Sequence, residues 1–312
     1  MAAVVAALVP VFLLIVTGFL LRQLLIRDDA HWVGVERLVY YVMFPALLIE
    51  TLARADLARV PVAGVGGALL LAVLAMSALC LALRPLLAAR LGLDGPAFSS
   101  LFQGATRWQT FVALAVAGNL YGDLGLALAS VAVVAMIPVL NILNVWVLAR
   151  FASPRRPDWR GVLAAIARNP FIWSCAIGLA LNLLQPPIPA PVHVFADALG
   201  RSSLALGLLM VGAGLRLAGL MRPAPATFVA TTLKLAVMPL MAVSLGLAFG
   251  LAGTSLAVVA CCASVPAASN AYILARQMGG DAPLMAQILT VETVLAVATM
   301  PVAIALAGWM RP

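Results

Sequence analysis

A handful of residues in this chain could do chemistry, and most of them lie inside apolar stretches where a polar side chain is costly. The segment Gly104-Ala105-Thr106-Arg107-Trp108-Gln109-Thr110 carries a guanidinium, an amide and two hydroxyls. Arg107 is its informative member. A guanidinium near the centre of a bilayer costs at least about 2.5 to 3.5 kcal/mol, so it should face a cavity or a partner rather than lipid. Its fork of donors suits a carboxylate, and the N-terminus of an adjoining half-helix would add favourable partial charge. The plainer alternative is that Arg107 snorkels to an interface or pairs with a protein carboxylate.

A second polar interruption is Ala263-Ser264-Val265-Pro266-Ala267-Ala268-Ser269-Asn270. A proline in mid-membrane removes a helix hydrogen bond and clashes with the preceding turn. Non-helical backbone at that depth is tolerated only where it is buried or lines a cavity. The two interruptions predict a binding site made by Thr106, Arg107, Gln109, Thr110, Pro266, Ser269 and Asn270, against the simpler reading of Pro266 as a kink. Glu292 lies soon after the second interruption and is a candidate coupling residue, since burial raises a carboxylate pKa towards neutrality. A fixed ion pair with Arg107 is its equal alternative. Glu50, towards the outer end of its span, could carry a coupling proton in the same way but reads more simply as an outward-facing end residue, and Lys234, the single lysine, lies close enough to the cytoplasmic end of its span to snorkel. Asn141 and Asn144 share a helix face and could line the path or bridge helices.

These residues need elements to hold them, and the composition says what kind. The 312 residues are 64% hydrophobic and 10% charged, with a mean hydropathy of +1.12, far outside the range of soluble domains. Apolar stretches of about 20 residues, each long enough to cross a bilayer, recur along nearly the whole chain. They predict ten spans: 4–25, 33–54, 61–86, 96–119, 123–150, 161–184, 194–217, 226–251, 255–277 and 283–308. No basic n-region precedes the first, so it reads as a retained span rather than a cleaved signal.

The net charge of +8 sits mostly in short loops, without the basic stripe of a nucleic-acid surface. One alternate set of loops holds Arg22 and Arg27, Arg84 and Arg90, the Arg150, Arg155, Arg156, Arg160 and Arg168 group, Arg216 and Arg222, and Arg276. The other holds Arg54, Arg59 and Arg201. The positive-inside rule makes the Arg-rich set cytoplasmic and puts both termini on the outer side of an inner membrane. Cys80, Cys175, Cys261 and Cys262 lack disulfide or metal spacing and read as small buried hydrophobes.

Segments roughly 160 residues apart also superpose in one register. Pro10 to Gly18 (PVFLLIVTG) matches Pro170 to Gly178 (PFIWSCAIG), Leu47 to Arg54 matches Leu209 to Arg216, and Thr110 to Ala115 (TFVALA) matches Asn270 to Ala275 (NAYILA). A Gly-Asp step follows the last pair, at Gly122-Asp123 and Gly280-Asp281. Residues 1–151 and 161–312 are then two five-helix repeats joined by a cytoplasmic linker at 152–160. Five is odd, so the second copy enters the bilayer from the opposite side, as in inverted-repeat carriers.

At Val39 to Leu48 (VYYVMFPALL), at Trp108-Gln109-Thr110, and at Val265-Pro266 through Tyr272 to Arg276 (YILAR), the chain resembles the auxin efflux carrier family. That family includes plant auxin exporters and bacterial carriers such as malonate transporters. The resemblance covers the whole chain. It implies an all-α membrane fold of ten spans in two inverted repeats, with spans four and nine broken and crossing at the substrate site. It further implies a homodimer held by a scaffold of spans one, two, six and seven, with the other helices moving as an elevator. Plant members have Pro-Asn-Thr where this chain has Trp108-Gln109-Thr110, so auxin itself is not the implied substrate.

The expected function is a secondary active carrier of a small organic anion, a mono- or dicarboxylate, coupled to a proton or sodium ion and solvated by membrane lipids. Two other classes were weighed. An enzyme acting on a lipid-linked substrate would need a set of converging catalytic residues, but His31 and His193 lie near span ends and no HExxH, P-loop or paired metal-ligand motif occurs. A channel would not need two interrupted helices around a site that must empty in each cycle. No cofactor, metal or nucleic-acid partner is expected.

Overall fold

A computed structural model describes residues 2–56, 61–152, 160, 161, 164, 167–216 and 223–310. Arg59, Arg155, Arg156, Arg222 and linker residues 153–159 lie outside the described residues. Among those described the chain is all helix, without strands. In chain order the elements are α1 (Ala2–Leu24), α2 (Asp29–Leu38), α3 (Phe44–Ala53), α4 (Val62–Leu91), α5 (Gly95–Thr106), α6 (Thr110–Phe151), α7 (Pro170–Leu184), α8 (Ala190–Ala213), α9 (Pro225–Thr232), α10 (Met238–Ala248), α11 (Gly253–Ser264), α12 (Asn270–Met278) and α13 (Ala282–Trp309).

Seven stretches are long and apolar enough to span a membrane, and one of them, Gly95–Phe151, runs for 57 residues. At about 1.5 Å per residue that is far more than one bilayer thickness. The backbone divides it. Residues 107–109 are not helical, and Gly122, at φ 59° and ψ −143°, turns the chain in a conformation reserved for glycine. With the shorter apolar helices Pro170–Leu184 and Gly253–Ser264 the stretches fall on the ten expected spans.

Two prolines within spans follow widened turns. A π-helical turn at Val39–Met43 precedes Phe44-Pro45, and another at Leu233–Val237 precedes Met238-Pro239. A proline ring clashes with the carbonyl one turn back and offers no N–H, and a widened turn accommodates both defects without breaking the span.

The helices pack in two groups. α1 lies along α8, and α3 lies against α7 and α8; α4, α5, α6 and α9–α13 pack among themselves. Close backbone approach ties the first group together. A Cβ on Gly18 would lie 2.0 Å from the Leu209 carbonyl oxygen, and one on Gly212 would lie 1.8 Å from that of Ile15. Small residues at such crossings let helices gain dispersion contacts where lipid supplies no hydrophobic drive. Between the groups, the Phe111 ring at the head of α6 packs edge-on to Phe44 at 4.8 Å and covers Gly207, where a Cβ would stand 2.6 Å from that ring.

Glu50 departs from its expected place. It is 7% exposed rather than facing outward, its Oε2 lies 2.9 Å from His193 Nδ1, and Arg54 Nη1 donates to Oε1 at 3.4 Å. Beside it, Asn182 donates its side-chain amide to the carbonyls of Leu52, Ala53 and Ala55 at 2.7–3.0 Å, closing the frayed end of α3. The four cysteines are buried and unbridged, as expected of small apolar side chains.

Gly212→Leu should force α1 and α8 apart, because the obstructing atom is backbone. The expected loss is about 1–3 kcal/mol, read as a fall in the unfolding midpoint of detergent-solubilised protein.

Candidate binding site at the helix breaks

α5 and α11 are the most enclosed helices, with every residue from 98 to 110 and from 256 to 267 buried. Each has 12 residues, and each stops in the same way. Arg107 leaves α5 at φ −64°, ψ 154°, and Val265 leaves α11 at φ −67°, ψ 151°. For Val265 the cause is local, since the residue before a proline is excluded from the helical region. Arg107 precedes tryptophan, so its extended backbone must be held by something further away.

The other break holds it. Gln109 donates its backbone N–H to the Pro266 carbonyl at 3.1 Å, and its side-chain amide to Ser269 Oγ at 3.1 Å. Arg107 Nη1 donates to Asn270 Oδ1 at 2.6 Å. The two interruptions therefore supply part of each other's hydrogen bonding. From behind, the Thr106 hydroxyl bonds the Phe102 carbonyl at 2.7 Å and lies 3.4 Å from Asn144 Oδ1.

A cavity of about 490 Å³ opens beside this contact, lined by Arg107, Trp108, Gln109, Thr110, Ser269 and Asn270 from the breaks and by Asn141 from α6. Its wall also carries Arg22, Arg216 and Arg276 against the single carboxylate Glu36. The guanidiniums of Arg216 and Arg276 stand 5.6 and 5.9 Å from the ring centre of Tyr272, another lining residue. Helices α6 and α12 begin at Thr110 and Asn270, so two positive helix ends meet the same space. All of these favour an anion.

Thr106, Pro266 and Asn144 stand behind the lining: Thr106 and Asn144 are fully buried, and Pro266 offers its carbonyl to Gln109. Glu292 is also fully buried and outside the cavity wall, with Oε2 accepting from the Ala267 amide at 2.8 Å. No contact joins it to Arg107 among the described residues. The buried cation on a neighbouring element is Lys234, with no hydrogen bond or ion pair to Glu292 among the described residues. That lysine is 1% exposed, so it does not snorkel; it lies in the π-helical turn of the span, packed against α5, α11 and α13.

The structure adds one donor that the sequence did not assign, the Trp108 indole, beside the guanidinium that it did. Arg107 Nε and Trp108 Nε1 are buried without a hydrogen-bond partner among the described residues. A buried donor left unpaired costs about 1–3 kcal/mol, which an acceptor brought in by a ligand can recover. The signal in sequence was the indole next to the arginine inside an interruption.

These features define a multi-pass helical membrane protein with a polar, arginine-lined site enclosed between two helix interruptions. Residues 159–304 match the family described as membrane transport protein. Over 301 residues the chain is 26% identical to an "Uncharacterized transporter" of Methanothermobacter thermautotrophicus, covering 93% of this chain and 94% of the relative. Over 326 residues it is 27% identical to a "Putative malonate transporter" of Rhizobium meliloti, covering 96% and 94%. The chain is thus similar to membrane transporters along nearly its whole length, and the resemblance to auxin efflux carriers drawn from its motifs stands.

The 3.1 Å approach of Gln109 and Ser269 predicts a cross-link. With the four native cysteines replaced, Gln109→Cys with Ser269→Cys should be bridged within one chain by a short bifunctional thiol reagent that spans the length of the lost glutamine side chain, seen as protection from later thiol labelling. Continued full labelling after the reagent would show that the two breaks do not meet.

Proposed function

We propose that the chain is a secondary active carrier of a small organic anion with one or two carboxylates. The observation that carries this reading is Arg107, 7% exposed, bridging the two breaks through Asn270 while its Nε and the neighbouring indole N–H keep unused donors. In the proposed cycle a carboxylate takes the place of Asn270 as acceptor, or joins it, using Arg107 and Trp108. Gln109, Thr110, Ser269 and Asn270 supply further hydrogen bonds, and Asn141 lines the way in. The name of the Rhizobium relative supports a dicarboxylate as the first substrate to try.

The finer architecture belongs to the same proposal. Residues 1–151 and 161–312 are read as inverted repeats whose fourth helices break and cross. Their order of elements and the matching exit angles at Arg107 and Val265 support this. α1–α3, α7 and α8 would be the scaffold and the dimer contact, and the remaining helices an elevator carrying the site. Arg22, Arg216 and Arg276 on the cavity wall belong to the Arg-rich loop set expected to be cytoplasmic, which supports reading this as an inward-open state with both termini outside. Glu292 is retained as the coupling candidate, because it binds the backbone of the second break directly.

Uptake of labelled malonate and related anions into proteoliposomes tests the reading. Arg107→Ala should cut kcat/KM by about 30-fold or more, as expected when one partner of a buried charged contact is lost, and Arg107→Lys should recover only part of it because a point charge replaces a fork. Undiminished uptake by Arg107→Ala would remove the guanidinium from the mechanism. Glu292→Gln should flatten the pH dependence of uptake; a profile unchanged from the parent would exclude Glu292 as proton carrier.

A further inference from the structure

Away from the cavity, two arginines of the Arg-rich loop set share one aromatic ring. The Arg84 guanidinium carbon lies 4.3 Å from the centre of the Phe151 ring and 5.8 Å from that of Phe98, and the Arg150 guanidinium carbon lies 5.3 Å from the Phe151 centre. Both arginines are exposed, and neither makes a hydrogen bond or ion pair among the described residues. The ring that holds them is well fixed. Phe151 packs nearly perpendicular to Phe98 at 5.4 Å and edge-on to Trp146 at 6.3 Å, and a Cβ on Gly95 would stand 1.8 Å from the Phe151 carbonyl oxygen.

A guanidinium resting on an aromatic ring keeps its N–H donors in its own plane, free to bond outward. Two such cations on one ring, without a carboxylate between them, repel each other and are stabilised by an anion that both can reach. Paired arginine forks suit the oxygens of a phosphate. Depth selects where that phosphate comes from. Phe151 is the last residue of α6 and Arg84 lies two turns from the end of α4, so the pair stands where spans meet headgroups. Trp146 is exposed one turn deeper than Arg150 on the same face of α6, the place where an indole sits against the glycerol region of a lipid. The loops that follow these arginines are expected to be cytoplasmic, on the leaflet that carries anionic lipid.

We propose that Arg84 and Arg150, held on Phe151, form a binding site for the phosphate of an anionic phospholipid, with Trp146 against the glycerol and upper acyl part of the same molecule. The site rests on the membrane-spanning fold and not on the carrier reading.

Thermal unfolding of the purified full chain in detergent, with added phosphatidylglycerol or phosphatidylcholine, provides the test. Phosphatidylglycerol should raise the Tm of the parent saturably, by about 3 °C or more beyond phosphatidylcholine. Arg84→Gln with Arg150→Gln should reduce that difference to less than about 1 °C, whereas Arg27→Gln with Arg90→Gln, which removes the same charge from the same loop set, should keep it. Equal response to the two lipids in the parent, a difference that survives in the first double variant, or equal loss in both double variants overturns the proposal. If the first double variant does not fold, its single variants decide: each should lose a large part of the difference, and two that keep it whole overturn the site. Inorganic phosphate at matched ionic strength should leave the Tm of the parent within about 1 °C. A rise as large as that given by phosphatidylglycerol would assign the site to free phosphate and overturn the lipid as its occupant.

Discussion

The hydrogen bond from the Gln109 amide to the Pro266 carbonyl is the interaction on which the rest of this molecule depends. Backbone that leaves the helix inside a membrane has no water to turn to, so each freed group must find a partner in the protein. The second interruption is written into its own sequence by proline. The first is not, and it persists because the second offers an acceptor opposite it. Two locally unfavourable segments become jointly stable only when they touch, which also fixes where the side chains of Arg107, Gln109, Ser269 and Asn270 must be.

The distribution of charge follows from that contact. Guanidiniums and helix N-termini collect on the side of the breaks that opens to the cavity, while a carboxylate and an ammonium are enclosed on the other side. Glu292 reaches the Ala267 amide, and Lys234 lies on a turn packed against α13, so buried polar groups run from the cavity wall through the broken backbone into α13 and α9–α10. A change of charge at either end is felt at the same short stretch of chain.

Spans, interruptions and the arginine were legible in the sequence because each has a local cause: hydropathy over a bilayer's thickness, a pre-proline residue, a guanidinium where lipid would not accept it. Residues whose meaning comes from a distant partner were not. Glu50 looks like a span end until His193, 143 positions later, is seen beside it. Lys234 looks close to an interface when measured along one helix, whereas α5, α11 and α13 close over it. Thr106 and Asn144 have the same chemistry as the lining residues, yet they face backwards, and only the rotation of α5 and α6 in the packed structure distinguishes them. Trp108 stands where plant auxin exporters have proline, but its unpaired indole nitrogen depends on packing no pattern encodes.

The bare flank of α8 at Gly207 has a mechanical meaning. Phe111 is the first residue after the threonine that opens α6, so its ring is the point at which the binding segment rests on the opposite helix group. A flat aromatic plate against a surface with no side chain meets little friction when displaced along the helix axis, whereas a methyl there would act as a tooth that the ring must climb. In the proposed elevator the glycine would make this joint a plain bearing rather than a latch.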